Sequence, residues 1–310
     1  MMPPNRWRYL RLIIVLFFFF FLFAGFVVYD RGSDVYVAEV PQPGSPADCP
    51  GTLRLAVIGD YGDNNQAEAD VAALVDSWGV DFVVTVGDNN YPDGEASTID
   101  ANIGQYYADF IYPYQGSYGP GATENRFFPA LGNHDLDSDR GQAYFDYFTL
   151  PGNERYYDVA LNPVHLFVLN SDPREVNGRS PASTQAQWLK KQMLAADLPW
   201  KLVIMHHSPY TSSLIRRPDP TLQWPFAAWG ATAVLSGHDH LYERLDVAGL
   251  PYIINGLGGR RINLFGSPEP QSLVRYNRDY GALRVQADET CINFSFFNRH
   301  HELIDSYTIN

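Results

Sequence analysis

Short apolar runs, each closing on glycine and a polar residue, set the rhythm of this chain. Leu53 to Ile58 is such a run and ends in Gly59-Asp60, the pattern of a buried strand entering a loop. Ala67 to Trp78 then places Val71, Leu74, Val75 and Trp78 at helical spacing and stops at Gly79,. Phe82 to Val86 is a second apolar run, ending in Gly87-Asp88. Strand, helix, strand predicts parallel pairing, with any ligand at the carboxyl ends of the strands. Phe127–Leu131 and Val164–Leu169 read as further strands, and Thr184–Ala196 as a helix capped by Ser183 or Thr184,. Leu202–Met205 and Ala233–Leu235 are strands that run into histidines. From Tyr252 onward the pattern is strands and hairpins: Tyr252–Asn255, Ala282–Ala287, Ile292–Phe297 and Leu303–Ile309. A mostly parallel half followed by a mostly antiparallel half predicts a mixed α/β domain of two sheets packed face to face, with helices outside.

The N-terminus follows another pattern. Arg6, Arg8 and Arg11 precede an unbroken apolar run from Leu12 to Val28. As a helix, at about 1.5 Å per residue, it would reach roughly 25 Å, close to the thickness of a bilayer core. Residues 1–30 are therefore expected to be a transmembrane helix, with the arginines cytoplasmic and the remainder outside. A cleaved signal segment is the alternative. It is disfavoured by the length of the run and by Phe23 two positions before Gly25, where cleavage would need a small residue. Residues 31–50, with Pro41-Gln42-Pro43-Gly44-Ser45-Pro46, read as a stiff linker, and 51–310 as one catalytic-sized domain.

Charge narrows the function. Lys and Arg number 22 against 35 Asp and Glu, a formal net charge of −13. Such a surface repels polynucleotides and anionic headgroups, so no nucleic-acid partner is expected. A small phosphate ester is still admissible, because bound cations invert the local field. The two cysteines, Cys49 and Cys291, cannot form a four-cysteine zinc site. They are either a disulfide joining the start of the domain to its end or two unrelated thiols.

Chemistry concentrates at the strand ends. In order stand Gly59-Asp60-Tyr61-Gly62, Gly87-Asp88-Asn89-Asn90-Tyr91, Gly132-Asn133-His134-Asp135, His206-His207-Ser208-Pro209 and Gly237-His238-Asp239-His240. Each alone is an ordinary turn. In succession they exceed what turns need, because turns require neither the histidines nor the tyrosine. Carboxylates, an amide oxygen and imidazoles are the donors of a two-cation phosphoryl-transfer site, where a carboxylate bridges ions about 3.5–4 Å apart.

As a set these segments resemble those of the calcineurin-like metallophosphoesterases. They are most similar to the purple, tartrate-resistant acid phosphatase branch, since Gly62 stands where an Asp-x-His motif would have histidine and Tyr91 completes Gly-Asp-x-x-Tyr. The tail from Gly237 to Arg244 matches the same branch, and the resemblance spans roughly residues 53–309. It implies a four-layer αββα sandwich of two mixed β-sheets and a hydrolase of phosphoric esters, most simply an acid phosphatase in which water activated on two metal ions attacks phosphorus. Asp60, Tyr91 and His240 would hold Fe(III), a hard ion suited to a phenolate. Asn133, His207 and His238 would hold a divalent ion (Fe, Zn or Mn), and Asp88 would bridge. His207 rather than His206 fits the family's His-x-Pro, which leaves His206 as a neighbour, either a hydrogen-bonding residue of the strand region or a substrate contact. His134 matches the candidate acid, with Asp135 as its orienting partner. The family's further histidine is missing: Leu214-Ile215-Arg216-Arg217-Pro218 stands there. Arg216 and Arg217 are either phosphate-binding guanidiniums or a solvated pair. A phosphodiesterase or nucleotidase of the same superfamily is the alternative activity, and a surface protein that keeps the fold only for binding is the non-enzymatic one. N-terminal sequencing of the mature protein tests the anchor. Retention of the first thirty residues is expected, and a chain starting near residue 30 would show a cleaved signal instead.

Overall fold

The computed structural model describes Cys49 and residues 52–310. The expected membrane helix and most of the linker lie outside the described residues, and among the described residues no helix is long and apolar enough to cross a membrane.

Among the described residues, thirteen strands form two mixed sheets. In the first, β1 (Leu53–Ile58), β2 (Phe82–Thr85) and β3 (Phe127–Pro129) run parallel. The last strands of the chain, β11 (Gly281–Ala287), β12 (Ile292–Asn298) and β13 (Leu303–Ile309), return antiparallel onto β1. The second sheet has the order β10-β8-β9-β7-β6-β5-β4. Its parallel core is β5 (Val164–Val168), β6 (Trp200–Ile204), β7 (Ala233–Ser236) and β9 (Leu250–Asn255). Antiparallel strands flank that core: β4 (Tyr157–Leu161), β8 (Tyr242–Val247) and β10 (Ser272–Tyr276).

This corrects the expected division into a parallel half and an antiparallel half. Each sheet is mixed, and the first draws its strands from both ends of the domain. Apolar periodicity announces a strand but not its partner. The edge of β1 must be covered, and the C-terminal meander covers it. Three strands also escaped the pattern. In β8, Glu243 and Arg244 are buried but matched, Glu243 by Ser212 and Ser272 and Arg244 by Asp305. An apolar count cannot see strands whose buried charged residues are paired or hydrogen-bonded across the core.

The sheets pack face to face. Phe296 on β12 stacks on Tyr242 of β8 at 4.1 Å between ring centroids. Tyr242 Oη donates to Asp305 Oδ2 at 2.8 Å, and Arg244 Nε to the same oxygen at 2.7 Å. Alternation along β6 divides its side chains. Leu202 and Ile204 enter the core shared by the sheets. Val203 and Met205 face outward onto Ala186, Leu189 and Met193 of the helix Thr184–Ala195. On the other side, the helix Gln66–Ser77, capped by Asn65, buries Val71, Leu74 and Val75. The helices thus begin at Asn65 and Ser183, where side chains accept the first free amide hydrogens,.

Cys49 and Cys291 are disulfide-bonded, with Cα atoms 5.8 Å apart and a sequence separation of 242. The bridge ties the approach to β1 to the start of β12. It shortens a very long loop in the unfolded chain, the condition under which a crosslink restricts that state most. Cys291→Ser is expected to lower stability by about 2–5 kcal/mol in denaturant unfolding. A thiol titration of the unreduced, denatured domain should find no free thiol.

Candidate metal centre

The parallel strands of both sheets end at one rim, and the residues that follow them turn sharply. Asp60, Asp88 and His238 adopt φ of 54°, 52° and 67°. Left-handed backbone at non-glycine residues costs of order 1–3 kcal/mol each and persists only where the surroundings impose it. Here they do. The Asp60 amide donates to Gly87 O at 3.1 Å, Gly237 N to His206 O at 2.9 Å, and the amide of His238 to Asp60 Oδ2 at 2.9 Å. The turns lock because they touch without side chains between them. A Cβ on Gly132 would land on the backbone nitrogen of Asp88.

The side chains converge in two groups that share one atom. Tyr91 Oη lies 2.9 Å from Asp88 Oδ2, 3.4 Å from Asp60 Oδ1 and 3.4 Å from His240 Nε2. His240 Nε2 and Asp60 Oδ1 are 3.3 Å apart. On the far side of Asp88, the same Oδ2 is 3.3 Å from His206 Nε2, which lies 3.2 Å from both Asn133 Oδ1 and His238 Nδ1. Donors bound to one ion at about 2.1 Å stand about 3 Å apart, so both groups have the spacing of donors around a cation. His207 completes the rim. Its Nδ1 is 3.0 Å from Ser171 Oγ and its ring 4.3 Å from that of His238. His240 holds its Nδ1 against Arg261 O at 2.7 Å, which directs Nε2 inward, as outer partners of metal-binding histidines do.

Electrostatics point the same way. Asp60, Asp88 and Tyr91 are almost fully buried. Burial pushes the Asp88 carboxyl up, but His206 and His134 outweigh it and hold the group well below the usual range. The Tyr91 phenol is driven up by burial and by Asp88 and Asp60. Burial, reinforced by His206, lowers His207 to about 3 and holds His238 down as well. Burial lowers His206, but Asp88 outweighs it and raises the imidazole to about 10, so His206 is the positive partner of these buried carboxylates, a part that a bound cation would take over.

His134 lies at the open side. Its amide donates to Asp88 Oδ1 at 2.9 Å, its Nδ1 meets Pro92 O at 2.5 Å, and its ring is 4.5 Å from that of Tyr91. The expected orienting partner faces elsewhere. Asp135 is buried and accepts hydrogen bonds from Asn89 N, Asn89 Nδ2, Asn90 N and Gly132 N at 2.8–3.1 Å. It welds the second segment to the third, and the carboxylate beside the His134 ring is Asp137, at 3.8 Å. Arg216 lies near enough to His238 to lower it; Arg217 is exposed beside it. Sequence reasoning missed Ser171, which receives the amides of His206 and His207. It also missed Arg174, bonded to Asn133 O at 2.9 Å, and Arg260, stacked 4.5 Å over Tyr91. Ser171 had a signal: Asn170-Ser171-Asp172 is another polar segment at a strand end, after β5.

A fold of two mixed sheets with a donor-lined rim defines a metallophosphoesterase architecture. The calcineurin-like phosphoesterase family profile matches residues 53–242, and the chain belongs to that family, a class of hydrolases acting on phosphoric esters. Among relatives, the tartrate-resistant acid phosphatase type 5 of Mus musculus is 29% identical over 249 residues, covering 67% of this chain and 72% of that protein. Purple acid phosphatase 3 of Arabidopsis thaliana is 23% identical over 301 residues, covering 84% and 78%. Two solved structures share the fold. The purple acid phosphatase PPD1 of yellow lupin superposes with a TM-score of 0.67 at 16% identity, covering 83% of this chain and 53% of the lupin chain. GAP50, described as the anchor in the inner membrane complex of Plasmodium, gives 0.66 at 18%, covering 83% and 88%.

The bonds of Asp135 and Asp137 predict opposite outcomes. Asp135→Ala would leave four donors buried without acceptors and should cost about 3 kcal/mol or more in urea unfolding. Asp137→Ala removes an exposed pair with Arg174 and should cost less than about 1 kcal/mol. Equal costs would contradict the assignment of Asp135 to the framework.

Proposed function

We propose that this protein is an exported phosphomonoesterase of the acid phosphatase type, working with two cations at the strand-end rim. The observation that carries the proposal is Asp88 Oδ2, common to both donor groups and so suited to bridge. Asp60, Tyr91 and His240 suit Fe(III), and Asn133, His207 and His238 a divalent Fe, Zn or Mn ion. Bound there, such cations would polarise phosphoryl oxygens and make water acidic enough to attack phosphorus near neutral pH.

The chain's own groups supply the rest. Burial of the carboxylates and Tyr91 keeps bulk water from the donors. His134, part-exposed beside Asp88, is placed to give a proton from Nε2 to the departing alcohol oxygen. Its Nδ1 contact with Pro92 O fixes the ring for that role. Arg216 would offset the charge of the phosphate against an acidic surface. Export is supported by the Cys49–Cys291 bridge, which persists in oxidising compartments,. With it we propose residues 1–30 as the membrane anchor, 31–50 as the linker and 51–310 as the catalytic domain. A phosphodiesterase or nucleotidase reading draws on Tyr112 and Tyr118, exposed beyond Tyr91, as faces for a base. Turnover of p-nitrophenyl phosphate against its bis ester separates the two.

Purified protein is expected to carry two metal atoms per chain and a visible absorption band. Asp88→Ala should lose both metals and turnover. Tyr91→Phe should keep metal but lose the band. His134→Ala should keep metal and band while kcat falls by about 10²–10⁴-fold. An active, colourless enzyme holding only zinc or manganese would refute the iron assignment, and full metal without turnover on any ester would refute the enzyme.

A further inference from the structure

Beside the strand-end rim, residues 212–217 and 263–266 run antiparallel as a short ribbon whose apolar tip the fold itself does not use. We propose that this ribbon selects the alcohol of the substrate, so that the preferred phosphate monoester is one of a long, apolar alcohol, an amphiphile rather than a sugar or nucleoside phosphate. The inference rests on the phosphomonoesterase reading above and narrows its substrate class.

Three observations carry it. The first is exposure. Leu214, Ile215 and Leu264 are 60%, 61% and 60% exposed. Single exposed apolar side chains are ordinary, but these are neighbours. Ser213 pairs with Phe265, the Leu214 amide donates to Leu264 O at 2.9 Å, and the Gly266 amide donates to Ser212 O at 2.7 Å. This register sets Leu214 directly opposite Leu264, and cross-strand partners share a face. Ile215 follows at the tip. An apolar group of this kind, rimmed by polar residues, marks a place where something binds.

The second is that the ribbon is fixed and is joined to the site. Its base is held by Glu243, which accepts from the Ser212 amide at 2.8 Å, while Ser212 Oγ receives the Glu269 amide at 2.8 Å. Its other strand starts on a rim histidine. Asn263 N donates to His240 O at 2.8 Å, and His240 N to Asn263 Oδ1 at 3.1 Å. Leu264 directly follows that asparagine. Arg216 directly follows Ile215 and lies near enough to His238 to act on its ring. The apolar tip is therefore continuous with the site proposed to hold the phosphate.

The third is charge. Arg216, Arg217 and Arg261 flank the tip in sequence, and all three are exposed. Among the described residues none of them has a carboxylate at ion-pairing distance, whereas Arg174, Arg179, Arg260 and Arg299 each do. Asp219, two residues beyond Arg217, is held by Arg179 at 2.7 Å. Guanidiniums suit phosphate oxygens. Unpaired guanidiniums beside leucine and isoleucine, on a chain of net charge −13, complement a ligand with an anionic head and an apolar body.

The reaction keeps its balance. A water oxygen bonds to phosphorus, the P–O bond to the alcohol breaks, and the alcohol leaves with a proton while inorganic phosphate remains. The ribbon adds burial of methylenes that take no part in the bond changes. Such contacts are alike in the ground and transition states, so the gain appears in KM while kcat stays level.

The test uses the full metal-loaded chain and straight-chain monoalkyl phosphates from butyl to dodecyl, each below its micelle-forming concentration. kcat/KM should climb about two- to fourfold for each methylene brought against the ribbon, through a falling KM. Leu214→Ser combined with Ile215→Ser and Leu264→Ser should flatten the series. Leu214→Met combined with Ile215→Leu and Leu264→Met should restore the climb. The replaced side chains are exposed, so both variants should fold. A flat series in the wild type overturns the proposal, as does a climb that persists in the serine variant. A flat series from a wild type that still hydrolyses p-nitrophenyl phosphate refutes this inference alone, whereas no turnover on any ester refutes the phosphomonoesterase reading itself.

Discussion

Asp88 places a carboxylate where water cannot reach it and then uses both oxygens. Oδ1 takes the amide of His134, and Oδ2 faces Tyr91 on one side and His206 on the other. An isolated buried carboxylate is costly enough that it would ordinarily take up a proton. This one is held ionised by the imidazoles around it. Remove the positive partners and the rim becomes a cluster of mutually repelling acceptors. The rest of the site follows from that constraint, because each neighbouring turn brings either another acceptor for a cation or a histidine aimed at the same atom.

The backbone bears a cost for this arrangement. Three site residues sit at positive φ, and at about 1–3 kcal/mol each their strain is comparable to a good part of a domain's net stability. Strain of that size survives only if other contacts over-determine it. The Asp135 carboxylate, with four donors converging on it, is one such contact. The disulfide that closes the whole domain is another. Framework and chemistry are therefore interleaved within single motifs: in Asn133-His134-Asp135 the first residue faces the donor group, the second the open side and the third the interior.

Much of this was legible beforehand, for a definite reason. Donor residues at strand ends are local signals, since glycine, a polar ligand and a preceding apolar run are adjacent in the chain. The segments that carry Asp60, Asp88, Tyr91, Asn133, His207, His238 and His240 were found that way, the choice of these residues as ligands came from the family resemblance, and the fold brings them to one rim. Long-range matters were not local. Which sheet receives β11–β13 depends on an uncovered edge far away in the sequence. The role of Asp135 depends on the amides of Asn89 and Asn90, and the place of His206 on Ser171 and the carbonyl of Val86. The strand β8 was hidden because its buried Arg244 is paired with Asp305 and its buried Glu243 accepts hydrogen bonds from serines of other segments. In each case one residue's environment is made by another part of the chain.

The division of donors between the sheets carries the argument one step further. Strand ends and loops of the first sheet supply oxygen: Asp60, Asp88, Tyr91 and Asn133. Those of the second supply nitrogen: His206, His207, His238 and His240. Neither sheet alone offers a complete donor set, so the proposed centre would exist only while the two hold their relative position. That position is fixed a few residues from His240, where Tyr242 stacks on Phe296 and joins Arg244 in gripping Asp305. A buried pair such as Arg244–Asp305 contributes little net energy, but losing one partner is expensive, which suits a register lock better than a source of stability. Cations bound at the rim would tie the sheets together at their upper edge as these contacts tie them below it. Metal affinity and sheet packing would then be coupled quantities, as they are wherever a site assembles only in the folded state.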